Sequence, residues 1–139
     1  MKNFWILAAG LACTIAITPQ GSEARDASDP VYSSQFRTCI AKAGAVDFAI
    51  AHCNSEEFAR QDQTLNTVYA KLVAELEPSR REALRKSERL WVQFREAQCD
   101  YEAAGDAGGT LAPVIHENCR MRATFYRTKD LQHLLDLEQ

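Results

Sequence analysis

The chain of 139 residues carries a formal net charge of −3, which excludes the strongly basic surface that a nucleic-acid partner requires. Its cations form no stripe: Arg80, Arg81, Arg85 and Lys86 are interleaved with Glu82 and Glu88 in the manner of a solvated helix face. The length leaves room for one domain with one modest core.

Residues 1–24 contain Lys2, an apolar run from Phe4 to Ile17, and Ser22-Glu23-Ala24, a small-x-small pattern of the kind cut by signal peptidase. A cleaved secretory signal is predicted, with a periplasmic or secreted product. A membrane span needs about 20 apolar residues, and Thr18-Pro19-Gln20 interrupts the run first, so no stable span is expected after cleavage. Cys13 after Leu11-Ala12 opens a lipoprotein alternative, against which Gly10 stands where a lipobox has Leu. Residues 25–32, polar and containing Pro30, are predicted to be a flexible leader, and residues 33–139 one helical domain.

Phe36, Cys39 and Ile40 recur at helical spacing before Gly44, which predicts a short first helix. A further short turn is expected over residues 45–51. Asn54 with Glu57 three residues later resembles a capping box opening a long helix that runs to Glu77. On it Phe58, Leu65 and Leu72 recur every seven residues, and Tyr69 and Leu76 continue a series that Asp62 opens. Asp62 is the polar misfit on an otherwise apolar stripe.

Pro78 ends that helix, and Ser79 with Glu82 makes a second capping box for a third helix carrying Leu84, Trp91, Phe94 and Tyr101 on its apolar face. So short a turn makes the two helices antiparallel neighbours and brings Asp62 toward Gln93, Phe94 and Arg95. The stretch Gly-Asp-Ala-Gly-Gly-Thr, residues 105–110, reads as a loop, with Thr110 placed to cap a fourth helix that tolerates Pro113 in its first turn. Ile115, Cys119, Arg122 and Tyr126 are expected on one face of it, with Thr124, Arg127, Leu131, Leu134 and Leu135 continuing the helix. No segment alternates as a half-buried strand does. The fold class is therefore all-α: a long antiparallel hairpin flanked by a short N-terminal and a C-terminal helix.

Asp62 and Arg95 are expected to pair structurally across the hairpin, with Asn66 and Tyr69 extending the network, because a carboxylate on a core stripe needs an opposite charge. An acid–base role for Asp62 with Glu57 or Glu88 needs a cleft, and a small helical hairpin is expected to offer little concavity. Trp91, Phe94, Tyr101, Phe125 and Tyr126 are read as core, the alternative being a partly exposed subset that binds a partner. Of the five cysteines, Cys39, Cys53, Cys99 and Cys119 follow the signal, an even number that reads as two disulfides in an exported small domain. Their spacing is not that of a zinc site, and His52, His116 and His133 add no ligand pattern. His52 reads as a helix-end residue rather than a catalytic base. No catalytic residue, cofactor site or metal site is predicted, and the chain reads as a non-enzyme.

Cys53, Glu57, Asp62-x-x-Leu65-Asn66-x-x-Tyr69-x-x-Leu72, then Leu84, Trp91, Arg95 and Cys99, together resemble the exported family named for the LprI lysozyme inhibitor. Gly108-Gly109, Cys119, Thr124, Arg127 and Leu131 extend the resemblance over nearly all of the chain after the signal. One departure is Glu88, where the family has Gln three residues before the Trp. The resemblance implies an α-helical, disulfide-containing cell-envelope protein and suggests inhibition of lysozyme or another peptidoglycan hydrolase. The competing reading is a non-enzymatic envelope interaction or assembly module.

The expected pairing is Cys39 with Cys53 and Cys99 with Cys119, each linking neighbouring segments, and its rival joins Cys53 to Cys99 at one end of the hairpin. The candidate partner-binding loop is Gly105, Asp106, Gly108, Gly109 and Thr110, bracketed by Cys99 and Cys119, with Asp106 placed to meet a basic rim.

Overall fold

The computed structural model describes residues 30–139, so the predicted signal, Cys13 and residues 25–29 of the predicted leader lie outside the described residues. Helix α1 spans Ser34–Ala43, opened by the Ser33 hydroxyl, which accepts the Phe36 amide at 3.0 Å. It closes at Gly44, whose φ of 58° suits a residue without a side chain and whose amide donates to the Ile40 carbonyl at 3.2 Å.

Helix α2 spans Asp47–Glu75. The two pieces expected there, a turn over residues 45–51 and a helix capped at Asn54, are one helix. Val46 is already extended and Asp47 places negative charge in the first turn, which favours a helix start there. Neither Gly nor Pro interrupts the segment afterwards. Asn54 caps nothing: it is buried, and its Nδ2 donates to the Val114 carbonyl of the last helix at 3.2 Å. His52 likewise stands inside α2, exposed, with Nε2 at 3.5 Å from Glu56.

Leu76 and Glu77 are extended before Pro78, whose ring disfavours the helical region for Glu77. Helix α3, Pro78–Ala103, begins on the proline itself, where a missing amide costs nothing. The Ser79–Glu82 capping box is unused because the helix has already started. A 3-10 turn over Ala104–Asp106 leads toward α4, Ala112–Leu137. The all-α fold predicted from sequence is thus present, with no strand among the described residues. Its disulfides are Cys39–Cys53 and Cys99–Cys119, not the Cys53–Cys99 rival.

The closest packing joins α2 to α4; α3 lies on α4, and α1 on α2. Leu65, Val68, Leu72 and Leu76 of α2 meet Leu131 and Leu135 of α4 in the main core. Helices α2 and α3 close their hairpin through long side chains, with Leu84 and Trp91 packed against that core. Arg80 at the start of α3 grips Glu138 beyond α4 with bonds of 2.9 and 2.6 Å.

Two helix faces differ from expectation. Phe94 and Tyr101 are 64% and 76% exposed, whereas Arg95 and Cys99 are buried. On a helix the residue four after Trp91 stays nearer its face than the residue three after when the phase is set by Leu84, Glu88 and Trp91. Two inner positions of α3, Glu88 and Arg95, therefore go to charged residues beside Leu84, Trp91 and Cys99. On α4, Met121 and Thr124 are buried while Arg122 and Tyr126 face outward. No helix among the described residues is long and apolar enough to cross a membrane.

Candidate functional site

Arg95 organises the place where α2, α3 and α4 meet. Its guanidinium carbon lies 5.0 Å from the ring centres of both Phe58 and Trp91. Nε donates to Glu96 at 2.8 Å, and Nη1 donates to the buried Thr124 hydroxyl at 3.1 Å. The expected bond to Asp62 is present but is the longest of the set at 3.4 Å, and the Asp62 side chain is 39% exposed. Arg120 continues the series at 3.9 Å from the Phe58 ring, and Arg127 at 5.8 Å from Trp91. Guanidiniums and rings alternate here, each attracting the next through the ring quadrupole. Glu88 accepts from Arg127 Nε at 2.9 Å, so the acid that stands where the resembled pattern has Gln is balanced from α4.

The sequence motif on α2 opens onto a groove of about 510 Å³ beside this seam. Asp62, Leu65, Asn66 and Tyr69 line one side; Asn66 Nδ2 donates to Asp62 at 3.0 Å. Helix α3 supplies the other side, so the concavity is larger than the sequence led us to expect. Of the motif residues, Leu65 and Leu72 belong to the buried core, whereas Asp62, Asn66 and Tyr69 do not.

Sequence reasoning named Glu57 as a capping-box residue and missed that it is the acid most committed to the fold. Glu57 is fully buried and accepts the Ser33 amide at 3.0 Å, the Ser33 hydroxyl at 2.6 Å, Arg60 Nε at 2.7 Å and Gln61 Nε2 at 2.9 Å. Burial opposes its charge, but the bonds from Ser33, Arg60 and Gln61 outweigh it and hold the carboxyl below its ordinary range. Arg60 and Gln61, three and four residues after Glu57, were a readable signal of a satisfied helix-face acid. The reach to Ser33 was not. Tyr32, assigned to the leader, packs edge-on against Phe36 with ring centres 5.1 Å apart; burial first, then nearby Tyr126, pushes its phenol up.

At the far end of the molecule, Asp106 Oδ2 accepts the Leu111 and Ala112 amides, both at 3.0 Å, and so caps α4 in place of Thr110. Its Oδ2 is engaged there. Thr110 instead donates to Asp47 at 2.5 Å, tying the loop to the start of α2. Gly109 backs directly onto the cap: a Cβ there would stand 2.2 Å from Asp106 Oδ2. Gly108, with φ of 83°, makes the preceding turn. Gly105 leads into it within the 3-10 turn. Phe48, 83% exposed, and Val46, 59% exposed, stand beside this loop and share a shallow depression with Thr110 and Pro113. Phe48 escaped notice because residues 45–51 read as a minor turn.

A family model described as "Lysozyme inhibitor LprI" matches residues 39–131. An uncharacterized protein of Rhizobium meliloti (strain 1021) is 26% identical over 97 residues, covering 60% of this chain and 70% of the relative. No solved structure matches. The family match takes in both disulfides, the groove and the loop between α3 and α4, and on that extent the chain belongs to the LprI lysozyme-inhibitor family.

Proposed function

We propose that this protein is exported and inhibits lysozyme or another peptidoglycan hydrolase, seating the end formed by residues 46–48 and 105–111 in the enzyme's glycan cleft. The family match carries the reading. An inhibitor needs no reacting groups; it needs a few side chains held in place before contact, so that little freedom is lost on binding. The Asp106 cap, the Thr110–Asp47 bond and the Cys99–Cys119 disulfide supply that order. Phe48 and Leu111, 83% and 48% exposed, offer the apolar anchors that dominate such contacts. The charge of −3 is compatible with a cationic hydrolase but too small to select one.

The test is titration of oxidised protein into a glycan-cleavage assay. Saturable loss of cleavage is expected, weakened about tenfold or more by Phe48→Ala. Full cleavage across several lysozymes and endogenous hydrolases, well above micromolar protein, would sink the proposal and leave the envelope interaction module.

A further inference from the structure

The groove between α2 and α3 is not a packing defect. It follows from the architecture, since α2 and α3 both rest on α4 and are joined to each other chiefly by long side chains. Its volume, about 510 Å³, lies within the range of roughly 300–1,000 Å³ usual for small-ligand sites. Leu65 and the half-buried Tyr69 give it an apolar floor.

The polar groups around that floor are of two kinds. Asp62, Asn66 and Gln93 present carboxylate and amide groups, which pair with ligands that carry donors and acceptors side by side, as sugar hydroxyls and N-acetyl groups do. Arg85 and Arg89 stand on the α3 rim, 50% and 64% exposed. Among the described residues their nearest carboxylate is Glu82, 3.9 Å from each. The other acids of the groove are already countered, Glu88 by Arg127 and Asp62 by Arg95. The two guanidiniums share one exposed carboxylate, Glu82, through long ion pairs with no hydrogen bond, so both keep donors for an incoming anion, and guanidinium matches carboxylate in a two-pronged way.

We propose that this groove is a second binding site, taking a carboxylate-bearing amino-sugar oligosaccharide, with Arg85 and Arg89 on the carboxylate, Asp62 and Asn66 on hydroxyl and N-acetyl groups, and Tyr69 against a ring face. The narrowing from acidic amino sugars in general to cell-wall glycan rests on the hydrolase reading; the groove's chemistry does not. A protein with both sites would dock on the wall through one surface and meet the hydrolase with another, because the groove and the 46–48 and 105–111 end share no residue.

The probe is the disaccharide of N-acetylglucosamine and N-acetylmuramic acid, titrated into isotope-labelled, oxidised protein and followed by amide chemical shifts. N,N′-Diacetylchitobiose is the neutral control and acetate the bare anion. Saturable shifts confined to residues 62–69 and 85–93 are expected, with affinity about tenfold weaker for the neutral sugar. Arg85→Ala/Arg89→Ala should bring the acidic sugar down to the neutral level while leaving the melting temperature unchanged, since both side chains are exposed. The site is overturned by absent shifts, by equal affinity for the two sugars, by the same shifts with acetate alone, or by full affinity in the double variant. No hydrolase is present, so these outcomes are independent of whether the protein inhibits one.

Discussion

Deleting the Asp62 carboxylate removes the weakest of the bonds on Arg95, since Glu96 and Thr124 hold the same guanidinium at shorter range. A partly exposed pair of this kind is worth about 1 kcal/mol or less, so Asp62→Ala should unfold in urea close to the parent. Arg95→Ala loses two aromatic contacts and three hydrogen bonds at once and should cost about 3 kcal/mol in the same experiment. Sequence placed these two residues together correctly. It could not rank them, because an isolated acid on an apolar stripe looks more buried than Asp62 is, and Glu96, one residue past Arg95, looks like surface. Glu57 gives the pH counterpart. Its folded pKa lies below the unfolded value of about 4.3, so its stabilisation is complete above that pH and is lost as pH falls through the folded pKa. Denaturation followed between pH 6 and 2 should show this loss in the parent. Glu57→Gln, which cannot ionise, should lack that component of the acid slope and be less stable at pH 6.

At the scale of elements, the loop before α4 is built around Asp106 and Gly109. Gly109→Ala would drive a methyl into the Asp106 carboxylate, and the cap can yield only by giving up the amides of Leu111 and Ala112. The expected loss is about 1 kcal/mol, the usual worth of a helix cap, and Asp106→Ala should match it. The double variant should cost little more than either single one, which a denaturant cycle would check. Each disulfide closes a short loop, with separations of 14 and 20 residues, and removal of either should cost roughly 3 kcal/mol. Cysteine parity and spacing made those links readable, as Pro78 made the turn between α2 and α3 readable. Helix starts were less legible. Asn54, Ser79 and Thr110 all have capping chemistry, but the residues that precede the helices are Val46, Glu77 and Leu111, and α4 is capped instead by Asp106 reaching across from the preceding loop.

For the whole molecule, helix count, order and the antiparallel turn were in the sequence, but the choice of partner was not. The stripe of Leu65, Leu72 and Leu76 announces a buried face without saying that α4 covers it more closely than α3 does. That pairing also governs how the chain folds. Asn54 and Val114, bonded across the α2–α4 contact, are 60 residues apart, so the principal interface forms only after a large loop containing all of α3 has closed. Closing it costs entropy before any burial compensates, and non-local contacts of this sort slow folding. The rate-limiting step should therefore be the meeting of α2 with α4, and α3 should settle afterwards. In a stopped-flow chevron, Leu131→Ala should mainly slow folding, whereas Leu84→Ala should mainly speed unfolding; the reverse pattern would mean that the hairpin assembles first and waits for its C-terminal helix.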